Sequence, residues 1–304
     1  MQFTDATAAD PRGSASGETC HEGAQGGCVK TELLFAADDS SAVDAFHTGT
    51  KWGRTLDRTL SSRISAFLGN PAMWAMVARS RNEHRDAESI VLPDAGLGAV
   101  ALQEALLSRR SLAAGANPGG GAIDVDDLAA ILKYSYGVVG ERRAGAGWPV
   151  QRLRPCPSAG ALYPLEIYPV VMDVAGLASG VYHYDAVAHS LSCLRREDAR
   201  AAMPGFDFQP EFKSHASVVF IVTAVLLRSM AKYRDRGYRF VMNEAGALTQ
   251  NMHLTTLARG LPGCIWGGYC DEDVAAYVGA DGVKEIVVLG FIVGHRAPRE
   301  KTTT

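Results

Sequence analysis

The run from Ala216 to Leu227 limits the fold more than any other stretch: it is almost wholly apolar, rich in Val and Ile, and ends at Arg228. A bilayer span needs roughly 20 apolar residues, so this run is too short to cross a membrane. Its length and β-branched content instead make it a strand covered on both faces, near the centre of a sheet. A second run, Ile286 to Val293, has the same character. Between them lies a helical pattern from Phe240 to Arg259, closed by Gly260 and Pro262. Val241, Ala245, Leu248 and Met252 form one apolar stripe and Leu254, Leu257 and Leu261 another, so this helix is apolar on two sides and belongs at the centre of the molecule.

The remaining elements fit around that core. A helix is predicted over Ala99 to Leu107, ahead of the polar Arg109-Arg110-Ser111, with a glycine-rich loop at 115–121. Asp124 caps a second helix that carries Leu128, Ile131 and Leu132, has Asp126 and Asp127 in its first turn, and stops at Gly137. Leu165 to Met172, Val181 to Asp185 and Ser190 to Leu194 read as strands, the last two around a turn. Asp271 opens a short helix to Tyr277. Strands separated by helices of unequal size predict an α+β layered domain rather than a doubly wound one. No Gly-x-Gly-x-x-Gly turn follows a strand, which argues against a Rossmann nucleotide site. Upstream, Ala42 to Arg85 turns amphipathic, with Ile64, Phe67, Met73 and Trp74 among its apolar positions, as short helices packed on something larger would be. The expected organisation is a disordered lead at 1–30, a helical extension at 31–90 and the main domain at 91–304.

Composition excludes several classes of function. A formal net charge of −3, with no concentration of Lys and Arg on one face, gives no footprint for nucleic acid or a membrane surface. The acidic start lacks the charged and apolar regions of a signal peptide, and six scattered cysteines without a C-x-x-C pair suit reduced thiols in a cytoplasm. Cys20, His21 and Cys28 match no structural zinc spacing, so no metal is expected. His47 and His183 read as hydrogen-bonded structural groups. Cys156 reads as a buried, inert thiol.

The most specific stretch runs from Pro157 through Ser158, Ala159, Gly160, Ala161 and Leu162 to Tyr163 and Pro164, then directly into a strand. Small side chains let backbone approach a flat ring, whose polar edge needs N–H and C=O partners. The same stretch also suits an ordinary tight loop. Arg109, Arg110 and Ser111 combine two guanidinium forks and a hydroxyl, a set suited to phosphate oxygens, and equally to a solvated helix end. Gly263 to Tyr269, containing Ile265, Trp266, Gly267 and Gly268, frees backbone amides after the long helix. Gly294-His295-Arg296 places a cation after the last strand.

Taken in order, these pieces resemble the nitroreductase fold, and within it the SagB-type dehydrogenases and azoline oxidases. The resemblance runs over most of residues 42–296 and includes Phe46 to Lys51, Arg109 to Ser111, Ser158 to Tyr168, Gly180 to Asp185, Lys232-Tyr233, Tyr238-Arg239, Glu244 with Gly246, Gln250-Asn251 and Gly294. It implies a central, mostly antiparallel sheet flanked by helices, and a homodimer with FMN buried at the subunit interface and contacted by both chains. Arg109, Arg110 and Ser111 would hold the phosphate or ribityl end and Pro157, Ser158, Ala159, Gly160 and Leu162 the ring, with Ile265, Trp266, Gly267 and Gly268 on its other side. Gln250 and Arg296 complete the implied set. Lys232 and Tyr233 match the family's catalytic pair. Two departures stand out: Ala113 replaces an arginine usual in the family, and Ala247 replaces a histidine of the central helix.

Aromatising an azoline removes an acidic proton and transfers a hydride, so a base is needed beside the flavin. Lys or Tyr serves if its pocket lowers its pKa toward neutrality, and adjacent residues can both reach one substrate if Arg228 to Gly237 is a loop or turn. The expected function is oxidation of a thiazoline, an oxazoline or a related bond on a peptide-derived or carrier-bound intermediate, alongside other enzymes of a biosynthetic cluster, with oxygen reoxidising the flavin. An NAD(P)H-dependent nitro or quinone reductase and a non-catalytic scaffold of a biosynthetic complex are the alternatives.

Overall fold

A computed structural model of the chain describes residues 41–52, 58–78, 82–111, 123–143, 146, 149–205 and 210–294. The lead at 1–30, the glycine-rich loop at 115–121, His295 and Arg296 lie outside the described residues. The chain divides into two units, 1–47 and 48–304, and helix α1 (Ser41–Gly49) spans the boundary. The second unit opens with α2 (Arg58–Leu68), α3 (Pro71–Ala78), β1 (Glu88–Val91) and α4 (Leu102–Ser108). Then come β2 (Ile123–Asp124), α5 (Val125–Tyr136), the hairpin strands β3 (Gly140–Arg143) and β4 (Val150–Leu153), β5 (Leu165–Val171) and β6 (Val174–Ala175). β7 (Gly180–Asp185), β8 (Ser190–Arg196), α6 (Ala199–Ala202), α7 (Pro210–His215) and β9 (Ala216–Val225) follow. The chain closes with α8 (Leu226–Tyr233), α9 (Arg236–Ala258), β10 (Gly263–Trp266), α10 (Asp271–Val278) and β11 (Glu285–Gly294).

Seven strands form one sheet in the order β1-β8-β7-β5-β9-β11-β10, every pairing antiparallel. β9 sits between β5 and β11, and nine of its ten residues are buried, as its unbroken apolar run requires. Alternation along the strands sends side chains to two cores. Leu165, Ile167, Val218, Phe220, Val222 and Phe291 meet Leu248 and Met252 of α9 and Leu128 and Ile131 of α5 on one face. Tyr168, Val170, Val219, Ile221 and Ile292 meet Phe212 of α7 and Val274 and Val278 of α10 on the other. α5 starts with a reciprocal cap: Asp127 N–H donates to Asp124 Oδ1 at 2.8 Å and Asp124 N–H to Asp127 Oδ2 at 3.3 Å. The Asp127 carboxylate also accepts from Arg259 Nε at 2.8 Å, tying α5 to the end of α9.

Two expectations change. Arg228 to Gly237 is not a polar loop: α8 continues through Tyr233, and α9 starts at Arg236 rather than Phe240. The polar residues of α8 include buried Ser229 and Lys232, and Arg228 pairs with Glu166, so polarity here marks paired burial rather than solvent. The segment Gly263 to Trp266, expected as a loop, is an edge strand on β11.

Candidate active site

The chain approaches β5 through a tight turn, Ala159–Ala161, with three positive φ angles: 67° at Gly160, 51° at Ala161 and 45° at Tyr163. Non-glycine residues adopt that region at a cost and persist there when their surroundings fix them. Here Tyr163 N–H donates to Ser158 Oγ at 2.9 Å, Ala161 N–H to Ser158 O at 2.9 Å, and Arg154 N–H to Tyr163 Oη at 3.1 Å. The Arg154 guanidinium lies 4.3 Å from the ring centre of Tyr136 and 4.9 Å from that of Tyr163. Leu162 is buried in a cluster with Phe67.

Lys232 and Tyr233 occupy the last turn of α8, and both reach Gly160. A methyl group added there would lie 2.7 Å from Lys232 Nζ and 2.8 Å from the Tyr233 hydroxyl. Adjacent residues on a helix point about 100° apart, so the convergence comes from the Gly160 turn entering between them. Only glycine satisfies both the backbone angle and the space. The Lys232 ammonium also sits 5.3 Å from the Phe67 ring centre and 4.9 Å from that of Tyr233, and Tyr233 stands edge-on to Phe240.

Beside this pair an open cleft of about 310 Å³ is lined by Pro157, Ser158, Ala159, Phe240, Asn243 and Glu244. Glu244 is 3% exposed and accepts from the Tyr136 hydroxyl at 2.6 Å. Burial pushes its carboxyl up to about 7, against the opposing pull of hydrogen bonds from Ser158 and Tyr136 and the charge of Arg154. Burial likewise holds the Cys156 thiol up at about 12, so it remains protonated.

A second polar group anchors α8 to the sheet. Glu166 of β5 pairs with Arg228 and meets His183 Nε2 at 2.8 Å. Asn82 donates through its backbone to Glu166 at 2.9 Å and through Nδ2 to Glu285 at 2.8 Å, while Thr223 and Tyr168 donate to Glu285 at 2.6 and 2.8 Å. Burial alone would raise the Glu166 carboxyl, but the Arg228 charge and the His183 hydrogen bond outweigh it and hold it at about 2. His183 is thus a hydrogen-bonded group inside this network.

The remaining predicted residues gather elsewhere. Ser111 bridges to Gly263 in parallel fashion, bringing the Arg109-Arg110-Ser111 segment alongside β10 and near His253, whose imidazole is held low by burial and then by the Arg109 charge. Arg110 Nη1 donates to the carbonyls of Leu107 and Arg109 at 2.9 and 2.8 Å, so this guanidinium also closes its own helix. Ile265 and Gln250 are exposed, whereas the Trp266 ring is buried in the second core against Tyr269. Along α9, Glu244 and His253 are separated by nine residues, roughly 13 Å of helix. One chain therefore carries two separate groups, one around Ser158, Gly160, Lys232 and Tyr233, and one around Arg109 to Ser111.

Sequence reasoning left Glu244, Tyr136, Asn243 and Phe240 without a role. The available signal was a carboxylate three residues after Val241 on a buried stripe, where a charge demands partners. Among the described residues no group of three metal-binding side chains occurs, and no helix is long and apolar enough to cross a membrane.

The sequence model of the nitroreductase family matches residues 121–295. The chain belongs to the nitroreductase family. A relative of the same family, the protein named nitroreductase MJ1384 of Methanocaldococcus jannaschii, is 31% identical over 211 residues, 69% of this chain and 98% of that protein. The microcin B17-processing protein McbC of Escherichia coli is 31% identical over 137 residues, 42% of this chain and 49% of McbC. The trifolitoxin-processing protein TfxB of Rhizobium leguminosarum is 34% identical over 110 residues, 34% of this chain and 30% of TfxB. Both matches span less than half of this chain and less than half of the relative. The fold is also that of a nitroreductase crystal structure from Anabaena variabilis, with a TM-score of 0.61 at 22% identity over 82% of this chain and 45% of the other. It is shared as well with a chain of the E. coli McbBCD microcin synthetase bound to truncated pro-MccB17, with a TM-score of 0.53 at 19% identity over 88% and 97%.

The cofactor of this nitroreductase family is FMN, and the residues present fit it. Pro157, Ser158 and Ala159 line an open cleft next to exposed Gly160, and the Arg109 to Ser111 segment offers the donors a phosphate needs.

Proposed function

We propose that this nitroreductase-family oxidoreductase is an FMN-dependent dehydrogenase of natural-product biosynthesis, oxidising an azoline or a related C–N or C–C bond on a peptide-derived or carrier-bound intermediate. The observation that carries the reading is the convergence of Lys232 Nζ and the Tyr233 hydroxyl on Gly160. A base and a hydroxyl at one point beside the ring-binding loop are what removal of an acidic proton requires. The names of McbC and TfxB as peptide-toxin processing proteins, and of the McbBCD complex with a bound pro-peptide, support a peptide substrate and neighbouring enzymes.

When bound, FMN supplies the two-electron acceptor for the substrate hydride, and oxygen returns it to the oxidised state. The side chains of this protein do the rest. Lys232, as the neutral amine, takes the proton at Nζ and becomes the ammonium, while the Tyr233 hydroxyl holds the substrate heteroatom. Ser158 and Ala159 offer close backbone to the ring, and Phe240 narrows the cleft and limits water. The Arg109 to Ser111 group of one protomer serves the cleft of its partner in a homodimer, which accounts for two half-sites on one chain. Exposed Leu102, Leu106, Leu107 and Ile265 supply apolar surface for that pairing.

The test begins with colour and turnover. Purified protein is expected to absorb in the flavin bands, and Lys232→Ala and Tyr233→Phe to slow oxidation of a thiazoline peptide by about 10²- to 10⁴-fold. Unchanged rates would remove the pair from the chemistry. Protein that neither carries nor takes up FMN would instead act as a scaffold. The similarity to MJ1384 over nearly its whole length favours a second reading, an NAD(P)H-dependent nitro or quinone reductase. Rapid anaerobic bleaching of the flavin by NADPH, without azoline oxidation, would select it.

A further inference from the structure

We propose that Glu244 is the proton acceptor coupled to reduction of the cofactor, gaining a proton as electrons enter the cleft and releasing it as they leave. The inference rests on the FMN reading of that cleft. It deepens the reading by giving Glu244, to which the family resemblance attached no role, a part distinct from that of the Lys232-Tyr233 pair.

The geometry comes first. Glu244 lines the same cleft as Pro157, Ser158 and Ala159, yet its side chain is almost wholly buried and is held by the Tyr136 hydroxyl at 2.6 Å. Ser158, on the same cleft wall, accepts from Tyr163 N–H at 2.9 Å, which fixes the turn beside the carboxyl. Glu244 itself lines the open cleft, so a proton from solvent reaches it there.

The surrounding groups decide how the carboxyl responds. From α5 comes Tyr136, whose phenol burial raises well above its ordinary value, so it stays a donor. From the stretch between β4 and β5 come Cys156, whose thiol remains protonated, Tyr163, also raised by burial, and the cation Arg154. Arg154 Nε is buried without a hydrogen-bond partner, and its guanidinium is spent on the faces of Tyr136 and Tyr163. Glu244 titrates near neutrality among these, so a small change in local potential changes its occupancy.

Once the oxidised product has left and Lys232 has returned the substrate's proton to solvent, the transferred hydride leaves one negative charge in the site. In a low-dielectric cleft that charge raises the proton affinity of the nearest carboxylate. One proton from solvent passes through the cleft to a Glu244 oxygen, turning carboxylate into carboxyl and leaving the total charge unchanged. Reoxidation reverses the step, and the proton returns the same way.

FMN-loaded protein would be reduced electrochemically between about pH 5.5 and 8.5, following the midpoint potential and the reduced-minus-oxidised infrared difference spectrum. Above about pH 7 the wild type is expected to take up one more proton per two electrons than Glu244→Gln, and to gain a protonated-carboxyl band that the variant lacks. Equal proton counts, or a carboxyl band that persists in Glu244→Gln, would overturn the assignment. Should Glu244→Gln fail to load FMN, Tyr136→Phe decides: losing a donor to the carboxylate moves the carboxyl band to higher pH, and a band that does not move refutes the proposal. Wild-type protein that takes up no FMN fails the functional reading itself, a result distinct from flavin binding without the extra proton.

Discussion

Two buried glutamates on neighbouring elements have opposite proton affinities. Glu166 lies in a seam with Arg228, His183 and Asn82, and its carboxyl is held at about 2. Glu244 lies in the cleft with donors that are mostly neutral, and its carboxyl is pushed up to about 7. Burial is common to both, so the partners make the difference: a guanidinium in contact locks a carboxylate in the charged form, and hydroxyl donors leave it free to change. The seam is built to hold α8 still, and the cleft to let a proton move.

The largest expected effect breaks the seam. Arg228→Ala strands the Glu166 carboxylate in the interior, and denaturant unfolding near neutral pH is expected to show a loss of about 3–5 kcal/mol. A loss below about 1 kcal/mol would mean that the pair does not lock the helix. The second effect separates the two carboxyls by pH. Glu166 has a folded value below 4.5, so its contribution is complete above pH 4.5 and lost as pH falls toward 2. Glu244 has a folded value above 4.5, so its contribution is complete below pH 4.5 and lost as pH rises through 7. Unfolding free energy is therefore expected to fall by about 3 kcal/mol between pH 5 and 8 in the wild type from this group, and Glu244→Gln to remove that slope. A slope retained in the variant would assign it to other groups.

Smaller changes sharpen the contrast. Gly160→Ala combines a positive φ with a methyl group pressed on Lys232 and Tyr233. A stability cost of about 1–2 kcal/mol is expected, with a disproportionate loss of turnover because the reacting pair moves. Full activity in this variant would separate the pair from the loop. Tyr168→Phe removes one of several donors to Glu285. It is expected to cost about 1 kcal/mol and to leave the flavin spectrum unchanged.

The sequence revealed the parts of this molecule whose polarity reports their environment. Ala216 to Leu227 is apolar because both sides of β9 are covered, and the two stripes of the long helix mark α9 as central. α8 was hidden because Ser229 and Lys232 are polar yet buried and Arg228 is paired, their neighbours lying on α9, in the turn before β5 and on β5 respectively. Glu244 was visible as a residue but not as chemistry, since its partner Tyr136 is 108 positions away and only packing of α5 on α9 unites them. β10 was hidden by its glycine, which is there because a side chain at Gly263 would strike the Phe291 ring at 2.7 Å. Pro157 to Gly160 and the Lys232-Tyr233 pair were legible through family resemblance, while their meeting at Gly160 belongs to the fold.

The helices ahead of β1 bear on how such a protein can be inherited. Phe67 faces the Lys232 ammonium, Arg63 Nε donates to the Ala231 carbonyl at 2.6 Å, and Asn82 joins Glu166 to Glu285, all upstream of the family-matched stretch at 121–295. Recombination that exchanged only that stretch would transplant Lys232 and Tyr233 without an aromatic wall and without two tethers of their helix. The smallest segment that can move between lineages with these contacts intact is therefore longer than the segment by which the lineage is known.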